Sequence, residues 1–374
     1  MQQRVNSQLA AIRRSRGINA ADLARRVGVS RQTIYAIEAG TYVPNTEVSL
    51  RLSRELEVAV EDLFVLVEDP AKSPESISSE LLAAMPAPKG QPVRICSIAG
   101  RWVGVPVTAS PYFLPEADGI VIKSTRHGTR ADIAVFSKEE ASQKRLVVAG
   151  CDPAMGMLAR MVEKFSGIEI LAAPSSSRLA LTWLKQGNVH IAGSHLEDAE
   201  TGEFNLPFLR AEFPHDDFTV VTFARWEEGF VTAQGNPKSI RKAEDLAGKN
   251  VTFINREAGS GSRALLDRLL TEAGLPTKKV TGYDRIAFGH LAAAYAVFSG
   301  EADCCLATRS AAQTFALNFV PMHSERYDLV LHKNTLDTPA AQAFLDVLQR
   351  ASLRRKLELL AGYDTTETGN VLTI

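Results

Sequence analysis

From Lys144 to the C-terminus, short apolar runs rich in β-branched residues alternate with segments of helical apolar spacing, and this alternation constrains the fold more than any other feature. "RLVVAG" leads into Cys151-Asp152-Pro153 and a predicted helix from Ala154 to Phe165. "IEILAAP" leads into Ser175-Ser176-Ser177-Arg178 and a helix to Gln186, and "VHIAG" follows. "NVTFIN" leads into the stretch from Arg256 to Arg263 and a helix to Ala273. Then come "KVTGY", a helix from Ala287 to Ser299, and "DCCLAT". Strands separated by a helix pair in parallel through crossovers, so the sheet is flanked by helices. Ligands of such sheets sit beyond the carboxyl ends of the strands, where helices begin.

Several strand ends open on serine or glycine. "PSSSR" and "EAGSGSR" place unpaired backbone N–H groups and the positive helix end at the cleft, and Arg178 and Arg263 add charge. That arrangement suits an anion; the plainer role of the same residues is helix capping. "HLEDAETGEFN" holds His195, Glu197, Asp198 and Glu203, but the spacing matches no metal-ligand motif. It reads as a loop beside the cleft, with His195 and Asn205 helping to close it. His290, in an alanine-rich helix, reads as packed or hinge-facing. No metal and no cofactor are expected. Cys151 opens a helix, a position that lowers a thiol pKa, but the sequence identifies no base for it. With no GxSxG, Walker A or HExxH string, the expectation is not an enzyme and no catalytic residue.

The N-terminal 66 residues follow a different period. Five short helices are expected over 3–66, the first carrying Val5, Leu9 and Ile12, with Asn19, Ser30 and Asn45 as caps and Gly17, Gly28 and Gly40 as stops. Residues 1–56 hold nine arginines against four acidic residues, a net of +5, although the whole chain is at −1. A basic head on a neutral-to-acidic body directs only the head toward a polyanion; a solvated basic surface is the bland alternative. Between head and body, 67–92 is proline- and serine-rich and reads as a linker with a helical turn near Ser79 to Ala84. Residues 93–145 read as a small β module, favoured as a structural connector. The four cysteines form no CxxC pair, no segment is long and apolar enough to span a bilayer, and the N-terminus has no signal-peptide core, so a cytoplasmic location away from membranes is expected.

The string "ADLARRVGVSRQTIYAIEAGTYVPN" resembles the lambda-repressor-like (Xre/Cro) helix-turn-helix family over about the first 65 residues. The resemblance implies binding of double-stranded DNA, with the third helix entering the major groove and a homodimer on a palindromic operator. Gln32 and Thr33 are then candidates for base contact, Arg31 and Tyr35 lie on the same outward face, and Arg13, Arg14 and Arg31 are candidates for phosphates. A helix-turn-helix bundle that binds a protein partner is the alternative.

"NREAGSGSRALLD", "GYDRIAFGHLAAAYAVFSGEADCCLA", "HLEDAETGEFN" and "ERYDLVLHK" together resemble the periplasmic-binding-protein-like domain of type II, from about 146 to 374. The resemblance implies two α/β lobes, one about 146–222 plus the C-terminal tail and the other about 228–325, crossing near "FTVVTFARWE" and "YDLVLHK". The overall class is then multidomain: an all-α head, a small β segment and a two-lobed α/β domain. Likeness to the molybdate and tungstate binding components implies a tetrahedral oxyanion as ligand and a ligand-responsive transcriptional regulator as the whole. Another small anion (carboxylate, phosphate or sulfate), or an adaptor with a vestigial cleft, is the alternative. The candidate ligand residues are Cys151 and Asp152 at the first strand end, Ser175, Ser176, Ser177 and Arg178 at the second, and Gly259, Ser260, Gly261, Ser262 and Arg263 at the third. Tyr283 and Thr308 stand at the fourth and fifth. Asp152 fits a dianion only if it turns away or caps its own helix; otherwise the ligand must carry a cationic or hydrogen-donating part.

Overall fold

A computed structural model describes residues 5–66, 76–107, 114–125, 128–137, 145–198, 200–213, 218–248 and 250–372. The chain divides into two units, Met1–Glu75 and Ser76–Ile374. The first holds β1 (Val5–Ser7), α1 (Leu9–Ser15), α2 (Ala20–Val27), α3 (Arg31–Glu38), α4 (Thr46–Leu56), α5 (Val60–Leu63) and β2 (Phe64–Leu66). Asn19, Ser30 and Asn45 accept the N–H groups of Asp22, Thr33 and Val48 at 2.9, 3.0 and 2.9 Å, so polar side chains start three of its helices. Gly28 ends α2 at φ 76°, a conformation that glycine adopts without steric cost. Leu23, Val27, Ile34, Ile37 and Leu52 fill the core between the helices. Val5, expected on the first helix, instead pairs with Leu66 in a two-stranded ribbon. β-branched Val5 pairs with another extended segment instead of lengthening the seven-residue α1.

The second unit opens with a closed barrel of β3 (Ser76–Leu81), β4 (Pro92–Ile98), β5 (Arg101–Pro106), β6 (Gly119–Ser124) and β7 (Arg130–Val135), in the order β3-β5-β4-β6-β7. The expected linker is therefore shorter than 67–92: residues 67–75 lie outside the described residues, and Ser76–Leu81 is a barrel strand. No helical turn forms near Ser79, because Ile77, Ser79 and Leu81 face inward at period two, with Ile77 and Ser79 paired against β7 and Leu81 against β5. The β module begins before residue 93 for the same reason, and its expected end, 138–144, is outside the described residues. The barrel is a buttress: Cys96, Val103 and Val105 pack with Val147, Leu171 and Trp183 of the following domain. Buried Arg145 binds Asp118 of the barrel at 2.7 Å and Glu169 at 2.6 Å, while Arg94 reaches the same two carboxylates.

The rest is α/β. Its elements are β8 (Arg145–Gly150), α6 (Met155–Ser166), β9 (Glu169–Pro174), α7 (Ser177–Lys185), β10 (Ile191–Ser194), α8 (Leu206–Glu212), β11 (Phe218–Thr232), β12 (Phe253–Arg256), α9 (Gly261–Glu272), β13 (Ile286–Ala287), α10 (His290–Phe298), β14 (Cys304–Thr308), α11 (Arg309–Thr314), β15 (Asn318–His332), α12 (Lys333–Leu336), α13 (Pro339–Leu348), α14 (Ala351–Ala361) and β16 (Val371–Leu372). One sheet runs β13-β12-β14-β11-β15-β10-β8-β9, with β16 on β11. Strands β11 and β15, 15 residues each, pair antiparallel from Phe218↔His332 to Thr232↔Asn318. One end of this ribbon joins β10 and its parallel neighbours β8 and β9, and the other joins β14 and β12. The two lobes thus share a pair of through-going strands, and α13 and α14 return to pack Phe344, Leu348, Leu353 and Leu357 with Leu158 and Val162 of α6. No strand forms at "KVTGY": the backbone turns at Gly282 (φ 91°), which lies hard against the carbonyl of Phe253, and pairing resumes only at Ile286.

Candidate functional site

Two surfaces carry the candidate residues. On α3, Arg31, Gln32 and Tyr35 are exposed and Thr33 is half-buried, while Ile34 and Ile37 anchor the helix from beneath. The Arg31 guanidinium stacks 5.3 Å from the Tyr35 ring and donates to its hydroxyl at 3.0 Å. Arg14 is exposed. Arg13 is not available for phosphate: it is buried, donates to Glu38 at 2.6 and 3.1 Å, and donates to the Ile18 carbonyl at 2.8 Å. It lies about 100° around α1 from Arg14 and so faces the bundle, where it clamps α1 to the end of α3 instead.

In the α/β domain, the N-termini of α7 and α9 meet across a cavity of about 350 Å³ lined by Arg178, His195, Glu197, Ser260, Arg263, Arg268 and Glu325, among others. Ser176 caps α7, Ser260 caps α9, and the Arg178 N–H donates to the Gly259 carbonyl at 3.5 Å, which brings the two starts together. Gly261 packs so closely on His195 that an added Cβ would stand 2.5 Å from the ring. Ser177 Oγ accepts the His195 N–H at 3.2 Å and the Ser175 hydroxyl is buried. Arg178, exposed over Phe208, and Arg263, 4.6 Å over Tyr283, leave three arginines at the rim when Arg268 is included. Asp152 turns away: its Oδ1 accepts the Ala154 N–H at 2.6 Å and the Tyr363 hydroxyl at 3.1 Å. Burial raises its pKa to about 7, against the pull of those two bonds. Tyr283 and Thr308 are not brought to the cavity. Tyr283 donates to Asp267 at 2.5 Å on a turn, and Thr308 caps α11 beside Ser310.

A second cluster adjoins the cavity through His195 and Glu325. Cys151 Sγ lies 3.3 Å from His195 Nε2, and His195 Nδ1 lies 2.5 Å from Glu325 Oε2, which also accepts the Trp226 indole N–H at 3.4 Å. No residue near Cys151 in sequence could act as its base; the fold brings one from 44 residues away. His290 is 1% exposed, and neither of its ring nitrogens has a hydrogen-bond partner. Glu228 Oε1 stands 3.6 Å from His290 Nδ1 and accepts the Ser262 hydroxyl at 3.0 Å. Arg256 is pinned by Glu257 at 2.9 Å. Burial raises Glu228 and Glu325 to about 8, and Glu325 adds to the shift of Glu228. Burial pushes His290 well below its usual range, helped by Arg256. Burial also opposes charge on His195, but the adjacent Cys151 sulfur and Glu228 prevail and raise it.

A two-lobed domain with its site at strand ends and helix starts has a matching family model. The one described as a PBP superfamily domain matches residues 158–349, more than half of the chain. The chain belongs to the PBP superfamily. A helix-turn-helix family model matches residues 9–63, so the head is a helix-turn-helix domain. The chain is 32% identical over 238 residues to the uncharacterized protein YvgK of Bacillus subtilis, covering 64% of this chain and 77% of that protein. Its head is 46% identical over 61 residues to an uncharacterized HTH-type transcriptional regulator of Methanothermobacter thermautotrophicus, covering 16% of this chain and 88% of that protein. Among solved structures, the tungstate ABC transporter from Geobacter sulfurreducens aligns with a TM-score of 0.43 and 16% identity, over 59% of this chain and 99% of that one.

The PBP domain thus places a helix-start pocket beside a buried knot of titratable groups. Glu228, Glu325, Arg256, Trp226 and Tyr327 carry no motif that marks them in the sequence. A signal existed: Glu228 and Glu325 are acids within the two long strand segments, "FTVVTFARWEEGFVT" and "NFVPMHSERYDLVLH", and a buried acid in such a strand needs a partner across the cleft. Gly150 and Gly193 leave room for the Tyr327 hydroxyl, which a side chain at either position would strike. The loop from His195 to Asn205 is a turn organised by Asp198, which accepts from Thr201. Asn205 holds it to the crossing strand by donating to Asp328 at 2.8 Å.

Proposed function

We propose that this helix-turn-helix protein is a transcriptional regulator whose PBP domain senses a small oxyanion, with molybdate or tungstate as the first candidates. The observation that carries the reading is the meeting of the α7 and α9 starts, with Gly259, Ser260 and Gly261 lining one cavity, Arg178, Arg263 and Arg268 lining it too, and Ser176 capping α7 behind it. Neutral donors and helix starts hold a tetrahedral dianion without a full set of counter-charges. Asp152 weighs less against it, since its Oδ1 is engaged by its own helix and by Tyr363. Burial raises Glu228 and Glu325 to about 8, which favours their uncharged forms and lessens their repulsion of an anion.

In this reading Gln32 and Thr33 contact bases, with Arg31, Tyr35 and Arg14 nearer the backbone, and the heads act in pairs on a palindromic operator. The anion alters DNA affinity only if it binds one arrangement of the lobes better than another. A thermal-shift panel of molybdate, tungstate, sulfate, phosphate and small carboxylates tests it. The true ligand raises the melting temperature at low concentration, and Ser176→Ala and Ser260→Ala each shrink that shift. A carboxylate as the strongest ligand overturns the oxyanion; unchanged shifts in both variants overturn the site.

A further inference from the structure

The cluster beside the cavity has a donor set that an anion pocket does not need. Cys151 Sγ, a nitrogen of His195 and a nitrogen of His290 lie within 4.8 Å of one another, as do donor atoms of His195, Glu228 and Glu325. We propose that Cys151, His195 and His290, with Glu228 beside them, bind one divalent transition-metal cation of the zinc, cobalt and nickel class where the two lobes meet.

Distances support the set. With metal–sulfur and metal–nitrogen bonds of about 2.3 and 2.0 Å, the sulfur–nitrogen edge of a tetrahedral site is about 3.5 Å. The observed Cys151 Sγ to His195 Nε2 separation is 3.3 Å. His195 turns Nε2 to this point because its Nδ1 faces Glu325 at 2.5 Å, the carboxylate–histidine arrangement that orients metal-bound imidazoles. The independent observation is His290. It is 1% exposed, yet neither nitrogen is hydrogen-bonded, and a buried imidazole with two idle nitrogens is costly unless something binds it. A cysteine nucleophile with a histidine base would use Cys151, His195 and Glu325 but would leave His290 without a role. One thiolate and two imidazoles favour a borderline or soft cation over magnesium or calcium, which take oxygen ligands.

The donors also span the cleft. Cys151 and His195 follow β8 and β10 in one lobe, His290 begins α10 in the other, and Glu228 lies on β11 between them. A cation held by all of them ties the lobes together. His195 lines the cavity, so the donor set adjoins it.

The full-length protein, stripped with a chelator, is titrated with Co2+. The expected result is one Co2+ per chain, with a near-ultraviolet sulfur-to-cobalt band and the visible bands of a tetrahedral site. Zn2+ displaces the Co2+, and Mg2+ and Ca2+ do not. Cys151→Ser abolishes the ultraviolet band. His290→Gln weakens Zn2+ at least 100-fold in competition with an indicator, with the circular dichroism of the metal-free variants checked for folding. In the wild type, where folding is not in question, Zn2+ slows alkylation of Cys151 by iodoacetamide at least tenfold. No band in the wild type, an unchanged band in His290→Gln, or alkylation indifferent to Zn2+ each overturns the proposal. The inference does not rest on the oxyanion reading, because the cobalt spectrum and the oxyanion melting shifts are separate signals.

Discussion

At the scale of single residues, charge and exposure part company. Arg13 and Arg14 are adjacent and chemically identical, yet one is a buried strut on Glu38 and the other is free at the surface. Arg13→Met strands Glu38 in a nearly dry site and should cost the head about 3 kcal/mol, read as a lower urea midpoint. Arg14→Ala should leave that midpoint in place. It should weaken DNA binding alike on all sequences and reduce the salt slope by about one ion. His190 gives a pH test. Burial lowers its pKa from 6.5 to about 4, and Nδ1 must stay unprotonated to accept the Val147 N–H at 2.9 Å. Its contribution is therefore whole above pH 6.5 and fades as pH falls toward 4. Between pH 7.5 and 5 the wild type should lose about 1–2 kcal/mol that His190→Asn, with an oxygen acceptor and no titration, does not lose.

At the scale of elements, α3 shows how a short helix is committed before it meets a partner. Ser30 caps it, Ile34 and Ile37 seat it, and the remaining positions are left outward. If Gln32 reads a base, Gln32→Ala should cost about 1–3 kcal/mol on the operator and almost nothing on random DNA, measured by anisotropy. Equal losses on both would remove Gln32 from the base-reading set. The strand β3 teaches the opposite lesson. "SISSEL" has too few apolar residues to announce a strand, and only closure of the barrel between β5 and β7 makes Ser79 and Leu81 interior. Elements with strong caps and periodic apolar faces were legible. Those whose state depends on a distant pairing partner, such as Val5 and the Tyr283 turn, were not.

At the scale of the whole molecule, the barrel and the PBP domain are joined by a shared apolar layer and by the Arg145 network. Asp118 accepts from Arg145 at 2.7 and 3.0 Å, from Arg94 at 3.1 Å and from the Ile95 N–H at 2.7 Å. Asp118→Asn leaves Arg145 without one of its two counter-charges. It should destabilise the second unit by about 3 kcal/mol, with amide exchange accelerating in β4 and β8 together. Exchange confined to the barrel would show that the two parts unfold independently.

The sequence alone determined what local chemistry can determine: a helix-turn-helix head with its caps and outward face, a crossover α/β body, and serine- and glycine-rich helix starts. Those features depend on neighbours within a few residues, where period, capping and turn geometry act. The tertiary structure decided which arginine is a strut, where the linker ends and where Asp152 points. It also decided that Cys151, His195 and His290 converge, with Glu228 beside His290. Their separations in sequence are large, and two strands long enough to run through both lobes bring the parts of the chain that carry them together.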